Sequence, residues 1–294
     1  MSDTKERESL LKTIGNKGKS LEAEMSFFDH LDVLRKHLIR AVIAIGIFTS
    51  IAFYYYDILL DKIIFGPKKP DFWTYRMMCK LVENFPSLGK DMCITKINGK
   101  IINTEMAGQF NLQLNSCVMA GIVMGIPYLL WEIWRFIKPA LHEKERKSAS
   151  GFVFFASSLF ALGILFGYFI VCPLSVNFLT GYTVSAEIEN TFTVDSYLSS
   201  VATLTLGTGI IFELPVVIYI LSKFGIMTPK FMRASRRYAI IVILIIAAIV
   251  TPTPDIMTMM IVATPLFLLY ELSIFISGYI EKKKLKAEAE FFAK

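Results

Sequence analysis

The 294-residue chain is 54% hydrophobic and 13% aromatic, with a mean hydropathy of +0.53 and a formal net charge of +6. Its apolar residues stand in long runs instead of at amphipathic spacing, which excludes an ordinary soluble domain of this length. The positive balance falls in short connectors between those runs, so membrane topology accounts for it and no nucleic-acid partner is called for.

In chain order, residues 1–25 are polar and charged and contain no apolar core for a cleavable signal peptide. They read as a disordered cytoplasmic tail. A short amphipathic helix is expected next, with Ser26 and Asp29 as its capping pair and Phe27, Phe28, Leu31, Leu34 and Leu38 as its apolar stripe. Runs of about 18 apolar residues or more cross the hydrocarbon layer as helices, because each backbone amide must find its partner within its own segment. On that measure the spans are 38–55, 109–131, 151–172, 197–224, 238–250 and 256–276. Pro173 is expected to stop the third, and Pro215 to bend the fourth. The fifth holds only 13 residues. It reads either as one arm of a shallow hairpin with the sixth or as a buried, re-entrant helix. Residues 281–294 read as a second disordered tail. The fold class is therefore all-α, a polytopic membrane protein of about six transmembrane helices within residues 26–280, with both termini cytoplasmic.

Orientation follows from the basic residues. Arg135, Lys138, Lys144, Arg146 and Lys147 follow span two; Lys230, Arg233, Arg236 and Arg237 follow span four; Lys282, Lys283, Lys284 and Lys286 follow span six. The connectors 173–196 and 251–255 hold no Lys or Arg, so they lie outside. The long loop 57–106 also lies outside, and long translocated loops escape the charge rule. It contains Cys79 and Cys93, which in an oxidising compartment are either bridged or two reduced, buried thiols. Cys117 and Cys172, in helices, read as packing residues.

Several polar residues are candidates for chemistry. Asp32, Arg35 and Lys36 precede span one; the plain reading is a solvated helix face. After span two, Trp131 and Trp134 are expected to anchor the chain at the membrane surface. Beyond them Glu143 and Glu145 stand in a basic loop. They either pair with their lysine and arginine neighbours or await a cationic ligand, and a guanidinium group is the natural guest of a carboxylate. Glu213 lies deep in an apolar span, where a charge must be protonated, paired or hydrated. Asn115 or Gln113 of span two would satisfy it structurally; otherwise it marks a functional polar site. Gly207 and Gly209 nearby would admit another helix. No nucleophile–base pair or phosphate loop is present, so the chain reads as a non-enzyme without metal or cofactor.

Taken together, these stretches resemble the TatC family, the core membrane subunit of the twin-arginine protein translocase. The resemblance rests on 30–35 (His-Leu-Asp-Val-Leu-Arg), 134–141 (Trp-Arg-Phe-Ile-Lys-Pro-Ala-Leu) with Glu145, 168–174 (Tyr-Phe-Ile-Val-Cys-Pro-Leu), 212–215 (Phe-Glu-Leu-Pro) and 253–255 (Thr-Pro-Asp), in family order. It implies a receptor in the bacterial cytoplasmic (inner) membrane for twin-arginine signal peptides of folded precursors, driven by the proton-motive force. Glu145, Arg35 and Phe136 match family positions around that site, with Glu143 and Asp32 beside them. Glu213 matches the acid where single-span TatA/TatB-type partners dock, and Pro173, Pro215 and Asp255 match structural positions. Self-association and contact with membrane lipid are implied as well. Two features depart from the family: Val33 stands where it has Glu, about 100° round the helix from Asp32, and loop 57–106 is long. The alternative reading is a proton-coupled secondary transporter or channel that uses Glu213.

Overall fold

A computed structural model describes residues 27–84, 93–94, 97, 99–138, 149–185, 187–251 and 256–292, the side chains of 27–30, 149–150, 257 and 286–292 excepted. Expectations on Ser26, Asp29, Glu143, Glu145 and Asp255 concern residues, or side chains, outside this set. The described chain is almost wholly helical. Its elements are α1 (Phe27–Tyr54), α2 (Trp73–Asn84), α3 (Gly108–Ile137), α4 (Ala149–Phe166), α5 (Cys172–Gly181), α6 (Val194–Phe212), α7 (Leu214–Lys223), α8 (Pro229–Ala234), α9 (Arg236–Val250) and α10 (Ile256–Phe292). Two three-residue strands, β1 (Lys100–Ile102) and β2 (Thr191–Thr193), pair in parallel with Lys100 opposite Thr191, a small departure from the all-α expectation. Among the described residues five helical stretches are long and apolar enough to cross a membrane: Leu31–Tyr54, Gly108–Ile137, Gly151–Gly181, Val194–Lys223 and Thr258–Leu285. At 1.5 Å per residue α9 is about 22 Å long, short of the ~30 Å hydrocarbon layer.

Three boundaries differ from the sequence reading. The expected amphipathic helix and span one are one continuous helix, since no Gly or Pro interrupts the chain between residues 27 and 45. Span three does not stop at Pro173. A π-helical turn at Gly167–Val171 joins α4 to α5, and Pro173 sits in the first turn of α5, where its missing N–H costs no bond within that helix. The carbonyl of Phe169, four residues before Pro173, instead accepts a hydrogen bond from Thr74 Oγ1. Span six runs past residue 276 and through the supposed tail to Phe292, because Lys, Leu, Ala and Glu are strong helix formers and no breaker intervenes.

The helices meet where small residues let backbones approach. A Cβ on Gly121 would lie 2.8 Å from Thr49 N, and one on Gly125 3.3 Å from Ile45 Cα, so α1 and α3 are in close contact. In the same way, a Cβ on Gly163 would lie 2.8 Å from Gly209 Cα, seating α4 on α6. Gly209 thus plays the expected part, while Gly207 faces open space. The main core gathers Val171, Cys172, Tyr197, Val201, Leu204, Ala247, Val262 and Leu266 from three of these spans and α9. A left-handed Gly225 (φ 75°) ends α7, with Ile226 N–H donating to Leu221 O and Gly225 N–H to Ser222 O.

On the side away from the basic connectors, the described parts of the loop, 57–84 and 99–106, fold back over the helix ends. Cys79 and Cys93 form a disulfide there. The Tyr75 hydroxyl, fully buried, lies 2.8 Å from Pro67 O and 2.9 Å from Pro173 O and shares its one proton between them. Burial pushes that phenol well above its usual range. Tyr168 donates to Ile63 O and Tyr197 to Ile64 O, so tyrosines from α2, the π turn and α6 all hold this loop by its backbone.

Candidate functional site

α3 is 30 residues long, about 45 Å, so its ends extend beyond the ~30 Å apolar layer. Its last turns, at the basic end, lie beside the first turns of the antiparallel α1. There Glu132 is only 1% exposed. Its Oε2 accepts a hydrogen bond from His37 Nδ1 of α1, and its Oε1 accepts one from the Tyr128 hydroxyl at 2.8 Å. The Arg135 guanidinium approaches Oε1 to 3.7 Å and lies over the Trp131 ring, 4.9 Å from its centroid. Both carboxylate oxygens are therefore satisfied by charge-assisted or phenolic donors, the condition under which a carboxylate is tolerated in the interior.

Around this cluster stand several of the residues singled out from sequence. Phe136 presents its ring edge-on to His37, with centroids 6.3 Å apart. Arg35 and Asp32 are exposed on α1, while Val33 is half-buried. The basic end thus brings His37, Glu132, Arg135 and Phe136 together on two helices, with Arg35 exposed two residues before His37. Trp134 differs from expectation: it is 5% exposed and stacks on Phe152 of α4 at 3.9 Å, so it belongs to the core while Trp131 alone faces outward. His37 and Glu132 were not singled out from sequence. The available signal was an acid four residues after Tyr128 and three before Arg135, a spacing that puts all three on one helix face.

The second candidate lies elsewhere. Glu213 is the hinge residue between α6 and α7, and Pro215 in the first turn of α7 leaves Ile211 O without its usual donor. Both carboxyl oxygens of Glu213 are buried, and neither has a hydrogen-bond partner among the described residues. Asn115 and Gln113 therefore do not satisfy it, contrary to the structural expectation. Among the described residues no group of three or more His, Cys, Asp or Glu side chains could hold a metal ion.

Residues 29–265 match the family model for the Sec-independent protein translocase protein, TatC. The chain belongs to the TatC family. A TatC protein of Blattabacterium is 39% identical over 266 residues, 90% of this chain and all of that one. The TatC of Carboxydothermus hydrogenoformans is 33% identical over 90% of this chain and 97% of its own length. A crystal structure of a twin arginine translocase receptor, TatC, superimposes with a TM-score of 0.60 at 31% identity, covering 86% of this chain and 99% of that one. A second TatC receptor structure, in DDM, gives 0.63 at 32% identity over 84% and 99%. As a TatC-family protein the chain is a multi-pass membrane protein and a component of a protein translocase.

Proposed function

We propose that this TatC-family chain is the signal-peptide receptor and core subunit of a twin-arginine translocase in the cytoplasmic membrane. It takes the paired arginines of folded precursors at its basic, cytoplasmic end and works with TatA/TatB-type single-span partners, with the proton-motive force as driver. The observation that carries this reading is the family match over 29–265, joined to the likeness to receptor structures along nearly their whole length. Glu145 makes the arginine contact in this proposal, because a loop carboxylate offers a guanidinium two parallel hydrogen bonds. Arg35, Phe136, Asp32 and Glu143 complete the surroundings of that contact. Crosslinking tests it: Glu145→Ala should abolish capture of a twin-arginine precursor while the protein still accumulates in the membrane, and unchanged capture would defeat the assignment.

The carboxyl of Glu213, without a hydrogen-bond partner among the described residues, supports a second reading, a proton-coupled transporter or channel. Purified protein in liposomes decides between them. Proton flux that needs no precursor and disappears in Glu213→Ala would favour transport; silence in that assay, with precursor capture intact, would favour the receptor.

A further inference from the structure

The cluster about Glu132 is an unusual way to fasten two helices that already touch through Gly121 and Gly125. Burying a carboxylate with a polar partner is seldom the most stabilising choice, since well-packed apolar residues hold helices at least as firmly. What the pair adds is direction. A carboxylate held by Tyr128 within α3 and by His37 of α1 gives the two helices a directional hydrogen bond across their contact, whereas apolar contacts allow repacking. The pair also sits at one end only, where α1 carries Arg35 two residues before His37 and α3 carries Phe136 one residue after Arg135. A site that uses Arg35 on α1 and Phe136 on α3 keeps its geometry only if those two helix ends keep theirs.

We infer that Glu132 is a positioning residue of the receptor: through His37 it locks the basic end of α1 to the end of α3, so that both halves of the signal-peptide site are held in register before the peptide arrives. The inference rests on the receptor reading above. Glu132 itself is buried and already satisfied by His37, Tyr128 and Arg135, so it holds the frame and leaves the peptide to exposed groups. Preorganisation of this kind raises affinity by sparing the peptide the entropic cost of ordering the site.

Two measurements on full-length protein test this. In the first, nitroxides at Lys36→Cys and Ile133→Cys, both exposed positions, report the spacing of the two helix ends without any peptide. A single narrow distance distribution in the parent that broadens in Glu132→Gln is expected; equal widths overturn the lock. In the second, a twin-arginine signal peptide is titrated. Glu132→Gln and the milder His37→Gln should each weaken binding by about tenfold, and the double variant should lose little more than either, as members of one network do. A His37→Cys/Glu132→Cys protein should bind as weakly until a short bis-methanethiosulfonate bridges the two thiols, and then recover. A monofunctional reagent should not restore it. Weak binding that persists after bridging would show that Glu132 acts on the peptide itself, and wild-type binding by the single variants would also overturn the inference. If the parent fails to prefer Arg-Arg to Lys-Lys peptides, the receptor reading fails, and the nitroxide distances alone judge the lock.

Discussion

Glu132 and Glu213 carry the same side chain into two opposite situations. Glu132 accepts from His37 and Tyr128, and removing either donor leaves a buried oxygen short of its hydrogen bond, a loss of about 1–3 kcal/mol. Glu213 has no partner among the described residues, so its carboxyl contributes desolvation and no compensating bond. Replacing it with a leucine should therefore stabilise the isolated protein. We expect Glu213→Leu to raise the Tm in detergent by a few degrees while weakening co-purification of a single-span partner. A lowered Tm would mean that the carboxyl is satisfied in the fold after all. Glu213 was legible in the sequence because an acid inside an apolar run stands out against its neighbours. The Glu132 cluster was not, because its decisive contact joins residues 95 positions apart and only helix packing brings them together. Sequence also placed Glu132 past the end of span two, where an acid invites no comment.

Five of the six expected spans correspond, among the described residues, to helices long and apolar enough to cross a membrane, α9 is shorter, and several ends differ from the sequence reading. Apolar runs marked the spans, since composition alone sets what a bilayer accepts. Ends depend on what receives the last carbonyls, and that is a matter of tertiary structure. Pro173 is the clearest case. Read locally, proline removes a donor and stops the helix. In the fold, the π turn before it and the Thr74 hydroxyl on Phe169 O take up the disturbance, and the helix goes on to Gly181. Thr74→Val keeps the shape of the side chain and removes the donor. It should cost about 1–3 kcal/mol, the penalty for a buried carbonyl left unpaired, seen as a lower Tm and faster hydrogen exchange around residues 169–173. If water replaces the hydroxyl, both readouts stay at the parent value, and the account of how Pro173 is accommodated fails.

At the scale of the molecule the two membrane faces are built by different means. The basic end is joined by the His37–Glu132 hydrogen bond between α1 and α3, with an ion pair, Arg236 to Glu271 at 2.7 Å, between α9 and α10. The opposite end is joined by tyrosine hydroxyls on backbone carbonyls, by the β1–β2 pairing and by the Cys79–Cys93 bridge. The sequence left that bridge undecided, because spacing cannot say whether two thiols meet. Since the bridge holds only the loop 57–106 and its helix α2, its loss should be felt locally. With its cysteines 14 positions apart, the bridge contributes about 3 kcal/mol on chain-entropy grounds. Cys79→Ser should accordingly lose the mobility shift on reduction and lower the Tm, with proteolysis appearing first in 57–106. Twin-arginine peptide binding at the other end should keep its parent Kd, because none of the contacts about Glu132 involves the loop. A matching loss of affinity would show that the two faces are coupled through the spans, and the division of labour between a stapled cap and the proposed receptor end would have to be abandoned.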